Sequence, residues 1–149
     1  MSEIKKMMPV MCRHEGDWDG SYIHLNIEGE IIDTHRAQLS CSFPENGPYP
    51  YYQVNKYTWE NGKKEEIHFA GKYKNKKVWF DNDRIYGSVW ELDDRSLALT
   101  WTRKDIPTSY LYELIQISAD DIYRTRTWHW FKDDRCFQRT IIQENKVKL

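Results

Sequence analysis

Ten strand-like segments follow one another along this chain with only short turns between them, and that succession limits its fold more than any other feature. Residues 18–27 and 32–43 read as two strands around the turn Glu28-Gly29-Glu30. Residues 44–50 (PENGPYP) are too rich in Pro and Gly for anything but a loop. A third strand, 51–59, ends at Glu60-Asn61-Gly62-Lys63, where Asn-Gly supplies the positive φ that a tight hairpin requires. Strands 65–73, 77–81, 85–92, 96–104, 109–118, 122–131 and 136–144 follow, with turns at Asn75 and Asp93-Asp94 among them. A meander of this kind must hide its edge strands, and closure into an up-and-down barrel does so fully. The expected fold is therefore all-β: a closed antiparallel barrel of about eight to ten strands, with room for one small ligand. A β-sandwich is the alternative. Residues 1–13 carry Met7, Met8, Val10 and Met11 on one face, interrupted by Pro9. They read as a short N-terminal cap or a loosely packed arm. The whole of 1–149 reads as a single β-barrel domain.

Composition narrows the function. Aromatic residues make up 15% of the chain, with 7 Trp and 10 Tyr, which suits a core that leaves a lined cavity. With 22 basic and 23 acidic residues the net charge is -1, which provides no basic stripe for nucleic acid. The lysine-rich run at 72–77 reads as a polar hairpin tip. Three cysteines (Cys12, Cys41, Cys136) form neither a disulfide framework nor a metal-type spacing. No apolar leader and no run of about 18 apolar residues is present, so the expected location is cytoplasmic and no membrane is involved.

Turn lengths give registers, and registers give faces. A turn at Lys132-Asp133-Asp134-Arg135 pairs Phe131 with Cys136 and Trp128 with Arg139. The inward face then carries Trp128, Trp130, Phe137, Arg139 and Ile141. A two-residue loop at Ala119-Asp120 pairs Ile117 with Ile122 and Glu113 with Arg126. Glu113 thus falls in the apolar row of Leu111, Ile115 and Ile117, and a buried carboxylate there needs a partner. Arg126 supplies one, either as a polar anchor for ligand or as a structural ion pair that fixes register. Leu97, Leu99, Trp101 and Arg103 share a face, with Arg103 near the mouth. So do Tyr51, Gln53, Asn55, Tyr57 and Trp59, then Trp18, Tyr22 and His24, then His35, Ala37, Leu39, Cys41 and Phe43.

These rows describe a small-molecule site. The expected ligand-binding residues are Tyr22, Gln53, Asn55, Tyr57, Trp101, Arg103, Glu113, Arg124, Arg126 and Trp128. The ligand would be small and hydrophobic, with an anionic or carbonyl group met by Arg126, Arg124 or Arg103. The alternative is a cofactor-independent isomerase, cyclase or lyase, with His24 or His35 as base and Glu113 or Tyr57 as acid. A purely structural interaction module is a third class. No GxSxG, P-loop, dinucleotide, HExxH or CxxC motif occurs. The five histidines (His14, His24, His35, His68, His129) have spacings that define no metal site, so neither metal nor cofactor is expected. Haem held by His35 or His129 is allowed by a barrel but favoured by nothing. The expected partner is the ligand alone, and a homodimer is a possible assembly.

Gly16-Asp17-Trp18 resembles the Gly-x-Trp opening of the lipocalins and their calycin relatives. The resemblance implies that Trp18 closes one end of a barrel and that a late-strand arginine, here Arg139, packs across it. Over residues 8–144 the pattern EGDWDGSY, YPYYQVNKYTWENG and RTRTWHWF is similar to an uncharacterised bacterial group of lipocalin-like single-domain proteins. More remotely, the chain resembles the phycobiliprotein lyases in size and barrel type, without a bilin-specific motif. The signal peptide and disulfide usual in secreted lipocalins are features from which this chain departs.

Overall fold

The structure, a computed structural model, describes residues 2–147. Two short helices, α1 (Glu3–Met7) and α2 (Pro9–Cys12), precede ten strands. These are β1 (Gly16–Asn26), β2 (Ile31–Ser42), β3 (Tyr51–Thr58), β4 (Lys64–Lys74), β5 (Lys77–Asp81), β6 (Ile85–Glu91), β7 (Ser96–Arg103), β8 (Ser109–Ile117), β9 (Tyr123–Lys132) and β10 (Arg135–Lys146). Each strand pairs antiparallel with its sequence neighbour, and β10 returns to pair with β1, closing the barrel. The all-β, closed-barrel expectation holds, calycin-like, with ten strands and little helix.

Alternation sets the inside. On β2, His35, Ala37, Leu39 and Cys41 are buried and the residues between them exposed, as the period of two requires. On β8, Leu111, Glu113, Ile115 and Ile117 form the buried row. Close packing at the wall explains one glycine: a Cβ at Gly87 would lie 2.1 Å from the carbonyl oxygen of Thr100. The hairpin tips follow local chemistry. Asn75-Lys76 and Asp133-Asp134 both adopt positive φ in two-residue turns, the twist that adjacent strands favour.

Two registers differ from expectation. The β8–β9 turn is longer than two residues, because Ser118 gathers it: its Oγ accepts from the amides of Ile122 and Tyr123. Ile117 therefore faces Arg124, and Glu113 faces Trp128 rather than Arg126. A shift of two preserves faces, so the inward row survives. Between β9 and β10, Phe131 faces Cys136 as expected, but a bulge between Cys136 and Gln138 then moves the register by one. That step exchanges the faces. Thr140, Ile142 and Glu144 turn inward, while Phe137 and Arg139 become exposed.

Helices α1 and α2 close one end. Ile4, Met8, Val10 and Met11 are buried against the barrel. The Met11 amide donates to Glu91 at 2.9 Å. Arg13 reaches three acceptors on the neighbouring turns: Asp121, the Asp94 carbonyl and the Ser118 carbonyl. No helix among the described residues is long and apolar enough to cross a membrane.

Candidate functional site

The barrel interior holds a cavity of about 210 Å³, far above the roughly 10–15 Å³ that admits one water. Met11 and His14 form its floor beside the cap. Its walls are mostly apolar: Ile85, Val89, Leu97, Leu99 and Ile115, with Phe69, Phe80, Trp101 and Trp128. Phe69 and Trp101 stack at 5.9 Å, and Trp101 meets Trp128 edge-on. Trp59, Arg84, Arg103, Trp130, His24 and His35 line the opposite, open end.

One strand supplies a polar stripe. Because β3 alternates, Tyr51, Gln53, Asn55 and Tyr57 project in sequence along one line. Tyr51 donates to Gln53 at 2.5 Å, Gln53 to Asn55 at 2.8 Å, and Asn55 to the Tyr57 oxygen at 2.8 Å. Burial raises the phenol pKa of Tyr22, Tyr51 and Tyr57, so all three remain neutral hydroxyls.

Below this lies a buried charge cluster. Arg126 donates to Glu113 at 2.7 Å, to the Tyr22 hydroxyl at 3.1 Å, and more weakly to Glu144 at 3.5 Å. Arg124 donates to Glu144 at 2.6 Å. Two guanidiniums thus meet two carboxylates, all four nearly sealed from water. Burial alone would raise the Glu144 pKa, yet Arg124 and Arg126 hold it below the usual carboxylate range. Burial likewise works against the charge of Arg126, but the carboxylates of Glu113 and Glu144 outweigh it and the pKa rises well above its ordinary value.

Arg124 also sits over Trp18, its guanidinium carbon 4.5 Å from the ring centroid, with the Lys146 ammonium 5.2 Å from the same ring. Trp18 is fully buried and donates from Nε1 to the His14 carbonyl. The tryptophan at the closed end therefore has its arginine, but it is Arg124. Arg139 lies on the outer face opposite His129, because of the β10 bulge.

His14 accepts from Arg124 at 3.2 Å, and its Nε2 finds no partner among the described residues. Burial first, then the charges of Arg124, Arg126, Arg13 and Lys146, push its pKa well below 6.5. The folded chain leaves His14 neutral where the unfolded chain protonates it. Stability is complete above the unfolded value of 6.5 and falls as pH drops from there toward the folded value, by at most about 1.4 kcal/mol per pH unit. Urea midpoints compared at about pH 7.5 and about pH 5.5 should show this decline, and His14→Gln should flatten it.

The expected site residues separate by depth. Tyr22, Gln53, Asn55, Tyr57, Trp101, Arg103, Glu113, Arg124, Arg126 and Trp128 all line the cavity. Arg103 is at the mouth, bound through Nε and Nη2 to Asp105. Of the four acid–base candidates, Glu113 lies deep and holds Arg126. Tyr57 packs edge-on to His35 at 5.1 Å, and His35 lies 5.4 Å from His24. His129 lies on the outer face, opposite Tyr112 and Arg139.

Sequence reasoning missed three participants. Glu144 was hidden by the bulge. His14 belongs to the cap rather than to any strand row. Asp33 stands across from His24 on the neighbouring strand. Its Oδ2 lies 2.9 Å from His35 Nδ1 and 3.9 Å from His24 Nε2, and Trp59 Nε1 donates to both its oxygens. The pairing of Asp33 with His35 two residues later on one strand was a signal available in the sequence. Burial, then His35, lowers the His24 pKa against the pull of Asp33.

Comparison with known proteins places this geometry. The family model for DUF3598, N-terminal, a domain of unknown function, matches residues 5–149. No curated protein matches. A crystal structure of a DUF3598-family protein from Nostoc punctiforme is similar at TM-score 0.70 and 17% identity, over 92% of this chain and 49% of that one. The chain thus spans about half the length of that relative. The S-type phycobiliprotein lyase CPES from Guillardia theta is similar at TM-score 0.71 and 12% identity, over 100% of this chain and 94% of that one. The barrel EF1p2_mFAP2b, bound to DFHBI, is similar at TM-score 0.52 and 14% identity, over 95% of this chain and 99% of that one. At these identities the likenesses show the fold. The family match covers nearly the whole chain, and with it the calycin-like ten-stranded barrel described here belongs to the DUF3598 N-terminal family.

Proposed function

We propose that the barrel binds one small, largely hydrophobic molecule through a carbonyl oxygen or similar neutral acceptor. The observation that carries the reading is a capped, aromatic-walled cavity whose buried indole donors, Trp101 Nε1 and Trp128 Nε1, have no acceptor among the described residues. A buried donor without a partner is unfavourable by about 1–3 kcal/mol, and a ligand oxygen within reach of either indole would remove that penalty. The charge cluster argues against a carboxylate as the main anchor. Arg124 and Arg126 already face Glu113 and Glu144, so an added anion would upset a balanced set. The polar stripe from Tyr51 to Tyr57 would fix the ligand's orientation. Similar barrels lend support: one neighbour is a phycobiliprotein lyase and another is bound to DFHBI.

The test is a titration with an apolar fluorescent ketone, its analogue with the carbonyl replaced by a methylene, and its carboxylate analogue, read by tryptophan quenching. The ketone should bind best. Trp101→Phe keeps an aromatic ring but removes the donor, and should weaken ketone binding by about 0.5–1.5 kcal/mol, roughly two- to tenfold, more than it weakens binding of the methylene analogue. Equal affinity for all three analogues, or tighter binding of the carboxylate, would reject the neutral-acceptor reading.

A further inference from the structure

We infer that His24, Asp33 and His35 form a binding site for one divalent transition-metal ion of the zinc class at the open mouth of the barrel. Each residue offers one ligand atom, and the three atoms lie within 4.8 Å of one another. Zinc bonds of about 2.0–2.2 Å in a tetrahedral arrangement place neighbouring ligand atoms roughly 3.3 Å apart. The contacts of Asp33 Oδ2 bracket that figure, at 2.9 Å to His35 and 3.9 Å to His24. Adjustments of under about 1 Å, within the reach of side-chain rotation, would bring the set onto one ion.

The atoms behind the three ligands strengthen the case. His24 Nδ1 lies 2.7 Å from Thr140 Oγ1 and 3.1 Å from the Gln138 amide. Metal binding through Nε2 requires the Nδ1 proton to be donated to Thr140, with the Gln138 side-chain amide turned so that its oxygen rather than its nitrogen faces the ring. Trp130 Nε1 donates to the same Thr140 oxygen and fixes it. Asp33 is oriented by the Trp59 indole. Metal ligands are characteristically held by an outer hydrogen-bonding layer of this kind. His68 and Glu66 provide the contrast: an exposed His–carboxylate contact at 2.7 Å whose other ring nitrogen meets the Tyr52 hydroxyl, with no second imidazole at hand among the described residues.

Two imidazoles and one carboxylate leave at least one coordination position open, the arrangement of sites that hold water or substrate rather than of closed structural sites. Asp33 is 40% exposed, which gives an ion a path from solvent. Both histidines also line the cavity, so a bound ion would face the ligand space. The site stands independently of what fills the cavity.

The experiment uses the full chain, stripped with chelator and titrated with Zn²⁺ by calorimetry, without any cavity ligand. One equivalent should bind, and Co²⁺ in its place should give visible absorption bands of an ordered low-coordinate site. His35→Ala and Asp33→Asn should each abolish the stoichiometric step. Trp59→Phe should weaken it by about 10–100-fold, and His68→Ala should leave it unchanged. In the unaltered protein, Zn²⁺ should shift the imidazole NMR signals of His24 and His35 together, a readout that does not depend on any variant folding. No stoichiometric binding, binding that survives both ligand replacements, or shifts confined to other histidines would overturn the assignment. Ketone binding measured in chelator separates this outcome from that of the cavity reading.

Discussion

Glu144→Gln should lower the free energy of unfolding by about 3–5 kcal/mol, the loss characteristic of breaking a buried ion pair from one side. That is a large share of the roughly 5–15 kcal/mol that holds a domain of this kind together. Glu144 is sealed from water and bridges two guanidiniums, Arg124 at 2.6 Å and Arg126 at 3.5 Å. Glutamine fills the same space but removes the charge, leaving two buried cations against the single carboxylate of Glu113. Urea denaturation near neutral pH measures the loss. The double variant Glu144→Gln, Arg124→Met restores the balance of one cation to one anion and should recover more than half of it, since well-packed apolar replacements of buried pairs are often near neutral. A double variant no more stable than the single one would show that charge balance is not what the cluster provides.

Trp18→Ala should be of similar size, about 3–5 kcal/mol, because a large ring is removed from a fully buried site between the cap and the barrel. The ring also carries the Arg124 guanidinium on its face and donates to the His14 carbonyl. Arg139→Ala, by contrast, should stay within about 0.5 kcal/mol, as surface substitutions do. The two variants measured side by side decide between the arginine expected from the family resemblance and the one found in the structure. A destabilisation at Arg139 comparable to that at Trp18 would reject the β10 register.

Most of the barrel was legible because alternation is a strong signal where one face is buried. The row Tyr51, Gln53, Asn55, Tyr57 and Trp59, and the row His35, Ala37, Leu39 and Cys41, both point as read. An error of two residues in the β8–β9 turn did no harm, since faces repeat every two residues. The error of one residue on β10 did, since it exchanged Arg139 for Glu144. Nothing between Arg135 and Gln138 announces the bulge by composition, and bulges answer to the curvature of the whole barrel rather than to local preference. The charge cluster was half visible: Glu113 stood out as a carboxylate in an apolar row, whereas Glu144 appeared to face solvent. The mouth was hidden for another reason. Asp33 and His24 come together only through pairing of neighbouring strands, and histidine spacing along the chain does not encode that contact.

Closure of the barrel has a kinetic consequence. The seam joins β1 to β10, so Trp18 lies opposite Lys146 and residues from opposite ends of the chain must meet. Contacts of such long range carry the greatest loop-closure entropy and form late. The Arg126–Tyr22 hydrogen bond reaches from β9 across β10 to β1, and Glu144 lies on β10 beneath it. Interactions formed after the rate-limiting step act chiefly on the rate of unfolding. The buried cluster is thus a latch on the seam: it does little to hasten assembly, and it governs how long the barrel, once shut, stays shut.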